Sequence, residues 1–274
     1  MLIRPWDAAV GASEWQEWLA AGDHFGLLAV NNLDPTHAPV VVPTHFAYSP
    51  GDSSSAGDSS LAGGSASPGE AGTPGDVPGP AGGAELLVHL ARGNPVWPHL
   101  EAAAEVRLAV VGDHAYIPTY WRAEPGRAEE DGVPTSYYSA IEFLCHPKIV
   151  DDPSGKAEIL ASELAQFQPE GRHSRVDPDA APYGPMLAAI RAVRLLVLAV
   201  DAKFKYDDQR PAEHRTVVAG LLEQRGRPLD AAAADQQRRR LAEVGNRHDH
   251  RPEPGTDALA PTKPECLRLP AGQG

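Results

Sequence analysis

The sequence has 274 residues, 42% of them hydrophobic, and a net charge of −13 at pH 7. That acidic balance argues against a dedicated DNA-binding domain, which relies on Lys and Arg to neutralise phosphates. The two cysteines, Cys145 and Cys266, lie far apart in the chain, so neither a disulfide framework nor a cysteine zinc site is expected.

The opening residues, MLIRPWDAAVGASEW, lack the basic start and apolar run of a secretory signal, which predicts a cytoplasmic protein. ASEWQEWLAAG predicts a short helix with Ser13 as N-cap, Trp15, Trp18 and Leu19 on one face, and Gly22 at its end. Two apolar, β-prone runs follow, HFGLLAV and APVVVPTHFAYS, joined by a turn at Asn-Asn-Leu-Asp-Pro, and they predict a hairpin. Residues 49–83 then bring Gly, Ser and Pro without periodicity and almost without large apolar side chains. Such a tract cannot offset its own ordering entropy and is expected to be a disordered insertion.

AELLVHLA predicts the third strand, and NPVWPHLEAAA a short helix with Asn94 as N-cap and Pro95 at the first helical position. EVRLAVVGDHAYIP and PTSYYSAIEFLCHPKIVDDP predict two further strands, with a charged mobile loop at 122–132 between them. SGKAEILASELAQFQ predicts a helix capped by Ser154, YGPMLAAIRAV a shorter one, RLLVLAVDAKFKY a closing strand, and RPAEHRTVVAGLLEQR a C-terminal helix. The longest apolar run, VRLLVLAV at 193–200, contains Arg194 and is far too short to span a bilayer, so no membrane partner is expected. QQRRRLAEVGNR is the one basic stretch, and it is read as a solvated helix face; residues 246–274 are expected to be a disordered tail. About six strands joined by hairpin-like turns predict an antiparallel barrel with peripheral helices, mainly β in an α+β frame. It forms one domain over 1–245, interrupted at 49–83.

No HExxH, GxSxG, GxxxxGK[ST] or strand-borne GxGxxG motif is present. Four polar and aromatic clusters stand at strand ends instead. The first holds His89, Arg92 and Asn94: an imidazole suits a haem iron, and a guanidinium clamps a phosphate or propionate. The plain reading is a strand histidine, a surface cation and a helix cap. The second, GDHAYIPTYW at 112–121, offers Tyr116, Tyr120 and Trp121 as a flat wall for a planar ring, or as packed barrel-corner aromatics. The third, VPTSYYS at 133–139, supplies the hydroxyls of Thr135, Ser136, Tyr137, Tyr138 and Ser139 for a phosphate or flavin edge, or for solvent. In the fourth, KFKYDDQRP, Lys205 suits a cation or proton-transfer group, and Gln209 and Arg210 suit an anionic ligand; the plain reading is a solvated strand exit.

In this order the clusters resemble the PaiB family of FMN-binding negative transcriptional regulators. The resemblance rests on H-x-x-R-x-N-P-x-W at His89, Arg92, Asn94, Pro95 and Trp97, and on G-x-x-A-Y-x-x-x-x-W at Gly112, Ala115, Tyr116 and Trp121. It continues with V-P-T-x-x-Y at Val133, Pro134, Thr135 and Tyr138, and F-K-x-x-x-x-R-P at Phe204, Lys205, Arg210 and Pro211. It runs from about Trp6 to Gly220 and skips 49–83.

What the resemblance implies is an FMN-binding split β-barrel that works as a homodimer with its cofactor at the subunit interface. It would act on a small molecule as a flavin-dependent oxidoreductase, or serve as a transcription-linked regulator responding to an effector. Cofactor contacts are implied at His89, Arg92, Asn94, Tyr116, Trp121, Thr135 and Arg210, and catalytic positions at Lys205 and Tyr138. A relative, piperazate synthase, binds haem b on the same scaffold and joins two nitrogens of a hydroxyornithine. On that alternative His89 is the iron ligand and the chain belongs to secondary metabolism. A cofactor-free dimeric interaction module is a further alternative.

Three positions depart from the family pattern: Asp113, Ser136 and Tyr137, the last two replacing a Trp and an Asn and so removing a pocket wall and an amide. The family's S-Q-N-R is DDQR here; Asp207 or Asp208, if buried beside Lys205, would favour the charged lysine.

Overall fold

The computed structural model describes residues 1–51, the backbone of 77–78, and residues 83–124 and 126–244. The 246–274 tail, and the 49–83 tract apart from its ends and Val77–Pro78, lie outside these residues.

The strands follow from alternating burial, every second side chain entering the interior. β1 (Phe25–Val30) sends Gly26, Leu28 and Val30 inward and leaves Phe25 and Leu27 outside. It pairs antiparallel with β2 (Val40–His45), the expected hairpin. After a bend at the buried Phe46 the chain continues as β3 (Ala47–Ser49). Then come β4 (Val77–Pro78), β5 (Glu85–Ala91), β6 (Val106–Ile117), β7 (Thr135–Val150) and β8 (Ile190–Lys205).

The hydrogen-bonded order is β2-β1-β6-β7-β8-β5-β3, all antiparallel, with β4 on β8. This path begins and ends on one stretch of chain, the bent β2–β3 segment. The sheet therefore returns to its own start as a barrel, in the α+β class expected. Ser49 pairs with Glu85, so the Gly/Ser/Pro tract leaves and re-enters a single ladder.

Leu28, Leu86, Val88, Leu108, Ile141, Phe143 and Val193 fill the interior with no exposed surface. The helix α1 (Ala12–Ala20) lays Trp15 edge-on against Phe143 and Tyr48. Its N-terminus departs from expectation: Gly11 is the N-cap, Ser13 makes no cap bond, and Glu14 reaches back to accept from the Val10 N–H at 2.6 Å. β6 carries a bulge between Val111 and His114. There a Cβ on Gly112 would stand 2.3 Å from the Trp18 ring, so the close approach of the indole requires glycine.

Beyond α2 (Trp97–Ala102), helix α3 (Pro153–Phe167) is capped by Asp152, whose Oδ1 accepts from the Gly155 N–H at 2.7 Å, and not by Ser154. α4 (Tyr183–Leu187) is shorter than its sequence suggests, because β8 already begins at Ile190. α5 (Ala212–Arg225) and α6 (Asp230–Val244) pack on each other, α6 also against β6. The solvated-face reading of QQRRR holds only for Arg238 and Arg239, which are exposed; Gln236, Gln237 and Arg240 on the other side of α6 are buried. No helix among the described residues is long and apolar enough to cross a membrane.

Candidate functional site

Three of the four clusters meet at one end of the β6–β7–β8 ladder. The register sets Thr135 opposite Ile117, Ser136 opposite Tyr116, and Tyr138 opposite both His114 and Lys205. Alternation sends Tyr137 inward and Ser136 and Tyr138 outward. The Lys205 ammonium donates to Thr135 Oγ1 at 2.8 Å, and Lys205 and Lys203 lie 5.8 and 5.3 Å from the centre of the Tyr138 ring. Beside them Tyr116 and Tyr120 are 54% and 55% exposed. Trp121, in a short 3₁₀ turn (Thr119–Trp121), is covered by the Arg225 guanidinium at 4.7 Å, and Arg225 also donates to the Tyr116 carbonyl at 2.7 Å. Arg210 is a looser neighbour, 3.8 Å from Glu124.

Beneath this platform lies a buried ion-pair network that was not anticipated. Asp207 takes a left-handed backbone (φ 56°), a conformation Asp tolerates better than most residues. It accepts two bonds from Arg122, at 2.9 and 3.2 Å, and one from the Tyr137 hydroxyl at 3.1 Å. Burial, and then the Asp207 charge, push the Tyr137 phenol well above its ordinary range. Asp208 accepts from Arg215 and Arg240, and Arg240 continues to Glu14 at 2.8 Å. Both carboxylates are thus buried, yet they pair with arginines and not with Lys205, contrary to expectation. The 122–132 segment is likewise no free loop at its start. Arg122 is buried, and it ties the segment to Asp207 and to the Val133 carbonyl.

The first cluster stands elsewhere. His89 pairs with Ala192 at the opposite end of β8. At about 3.3 Å per residue, the stretch of β8 from Ala192 to Lys205 separates the two clusters by on the order of 40 Å along the strand. His89 Nδ1 contacts the buried carboxylate of Glu163 on α3, which holds the imidazolium above the ordinary histidine range against the opposing effect of burial. The contact fixes the ring and leaves Nε2 as the nitrogen available to a ligand. The Arg92 Nε donates to the Ala188 carbonyl at 2.8 Å, and among the described residues no carboxylate lies within 4.0 Å of its guanidinium. Asn94 is not the N-cap of α2 as expected, since the helix begins at Trp97 with Val96 as its N-cap; Asn94 Oδ1 instead accepts from the Val96 N–H at 3.0 Å in the turn before it.

The departures from the family pattern fall in different places. Ser136 is exposed, Tyr137 belongs to the buried network, and Asp113 sits in the β6 bulge. Asp113 also lines a cavity of about 550 Å³ with Trp18, His24, Phe25, His114 and Arg239, which touches none of the predicted site residues. Among the described residues no group of three or more His, Cys, Asp or Glu is placed to hold a metal ion. Sequence reasoning missed Glu163, Arg122 and Arg225; Glu163 and Arg225 lay in helices already signalled by periodicity, whereas Arg122 lay in the segment read as a mobile loop.

The family described as "Putative FMN-binding domain" matches residues 8–199. No curated protein matches the sequence. Among solved structures, the flavocytochrome Anf3 of Azotobacter vinelandii is 15% identical over 73% of this chain and 70% of its own, with a TM-score of 0.46. An FAD and heme binding protein of Mycobacterium smegmatis is 16% identical over 76% and 78%, with a TM-score of 0.45. An FAD-binding protein of Mesorhizobium loti is 16% identical over 75% and 99%, with a TM-score of 0.38.

Proposed function

The chain belongs to this FMN-binding-domain family, and from that premise we propose a PaiB-type, flavin-dependent oxidoreductase that holds FMN in a pocket shared by two copies of the chain. The observation that carries the shared pocket is the separation of the clusters along β8. Each end presents a cation with no carboxylate within 4.0 Å among the described residues, Arg92 at one and Lys205 at the other.

The donor set fits FMN. A phosphate needs forked or charged N–H donors, which Arg92 and the Glu163-supported His89 supply. An isoalloxazine needs a flat, half-apolar wall, which the exposed Tyr116 and Tyr120 supply, with Trp121 behind them. Bound FMN supplies hydride or single-electron transfer to a small-molecule acceptor. The chain's own residues then bind and orient. Arg92 and His89 meet the phosphate, while Asn94 holds the turn that carries them. Thr135 and Arg210 border the ring, and Lys205 and Tyr138 stand where a substrate group needs a proton or a counter-charge. A net charge of −13 disfavours direct operator contact, so a regulatory role would run through an effector or through cofactor state.

The test is the absorption spectrum and FMN titration of the purified chain, with light scattering for its mass. Expected are a flavin spectrum, a dimer, and weaker FMN binding in Arg92→Met. A monomer that binds FMN fully, or a chain that takes up no flavin, overturns the proposal. The second reading, haem b with His89 as axial ligand, is favoured by one observation, the Glu163 contact that commits Nδ1 and frees Nε2. A Soret band lost in His89→Ala would replace the flavin reading with this one.

A further inference from the structure

Lys205 stands in an electrostatic setting that the rest of the chain has arranged. The carboxylates nearest to it in sequence, Asp207 and Asp208, are drawn into the interior by Arg122, Arg215 and Arg240. Asp7, the remaining acidic side chain close by, is buried and lies 4.0 Å from Lys203, whose ammonium also donates to the Leu2 carbonyl at 2.8 Å. Lys205 therefore has no ion-pair partner within 4.0 Å among the described residues, on the outer face of a chain carrying −13 overall. Its ammonium uses one N–H, to Thr135 Oγ1 at 2.8 Å, and two remain. The Tyr138 hydroxyl, on the same face, has no protein partner among the described residues.

We propose that Lys205, Thr135 and Tyr138 form an oxyanion subsite that anchors one carboxylate or phosphate of the substrate, separate from the groups that hold the phosphate of FMN. The proposal rests on the flavin reading only in assigning the anion to the substrate. A compact ammonium with two free N–H groups, in contact with one hydroxyl and 5.8 Å from the ring of a tyrosine, matches a tetrahedral or planar oxyanion. It is too small a donor set to orient a neutral ring. The substrate class is then a small molecule bearing at least one such acid group.

The experiment uses the full chain, with and without FMN, and inorganic phosphate and acetate as probes, their binding read by chemical-shift change and by the thermal midpoint. Phosphate is expected to bind the FMN-free and the FMN-loaded chain alike. Loss of one charge-assisted contact should weaken it at least about tenfold in Lys205→Met. Thr135→Val should weaken it less, Lys205→Arg should restore most of it, and in the two Lys205 variants the FMN affinity should stay within about twofold of wild type. Unchanged phosphate binding in a folded Lys205→Met chain overturns the subsite. Competition between phosphate and FMN, lost in Lys205→Met, overturns the assignment to substrate and moves the subsite to the cofactor. A chain that takes up no flavin yet binds phosphate through Lys205 removes the flavin reading and leaves the anion subsite standing.

Discussion

Replacing Arg240 with Ala should be among the most damaging single changes in this fold. The side chain is 2% exposed. It bonds Asp208 through two nitrogens, both Glu14 oxygens at 2.8 Å, and the carbonyls of Ala8 and Trp6 at 3.1 and 3.2 Å. One guanidinium thus joins α6 to α1, to the segment before it and to the turn after β8. In Arg240→Ala, Asp208 keeps Arg215, but Glu14 loses the one cation within 4.0 Å of it among the described residues and keeps only the Val10 N–H. Removing one partner of a buried pair costs about 3–5 kcal/mol, mostly for the charge left behind. Arg238, two residues away on the opposite side of the same helix and 43% exposed, pairs with Glu223 and Asp235 at the surface; its removal should cost less than about 1 kcal/mol. Urea unfolding of the FMN-free chain measures both, with an unchanged slope required for comparison. Arg240→Met with Glu14→Gln should recover part of the loss, since the uncompensated charge is then gone. If Arg240→Ala costs no more than Arg238→Ala, the buried network does not hold α6 to the barrel and the argument fails.

Three further outcomes follow from local geometry. Gly112→Ala places a methyl in contact with the Trp18 ring and should destabilise by about 1–3 kcal/mol as an overpacked site; a neutral result in the same urea assay would show that α1 yields freely. Asp152→Ala should cost about 1 kcal/mol and Ser154→Ala nearly nothing, because Asp152 makes the cap bond of α3; the reverse ranking refutes that assignment. The third concerns His89, whose folded pKa is raised above its unfolded value by Glu163. Its contribution is complete below the ordinary histidine pKa and is lost as pH rises through the folded value. The stability gap between wild type and Glu163→Gln should therefore be wider at pH 5.5 than at pH 9, and a gap that widens with pH would contradict the sign.

The strands were legible because burial alternates with a period of two, and β-branched and aromatic residues dominate them. FGLLAV and VVVPTH could hardly be anything else once the Asn-Asn-Leu-Asp-Pro turn was recognised. The ion pairs were not legible, since each depends on partners remote in sequence. Arg240 meets Asp208 across 32 residues and Glu14 across 226, and His89 meets Glu163 across 74. A run such as QQRRRLAEV reads as solvated until the fold supplies carboxylates to bury it. Local competition misled in a smaller way at α3. Asp152 and Ser154 are both good caps two residues apart, and Pro153, favoured at the first helical position, decides for the residue before it.

The motif order also concealed the most consequential feature of the site. His89 precedes Tyr116, Thr135 and Lys205 in sequence, and nothing in that order says which end of a long strand each one reaches. β8 resolves it, pairing with His89 at its start and with Tyr138 at its finish. Charge follows the same division. Arginines that face inward, Arg122, Arg215 and Arg240, neutralise Asp207, Asp208 and Glu14, while Arg92 and Lys205 face outward at opposite ends. The proposed dimer suits a two-fold arrangement in which the β5 end of one copy meets the β7–β8 end of the other. Each pocket then receives Arg92 and Lys205 from different copies, and every pocket is the same. If the proposed dimer forms in this way, a substitution that separates the copies should abolish FMN binding at both pockets together, even when it touches none of the residues that meet the cofactor.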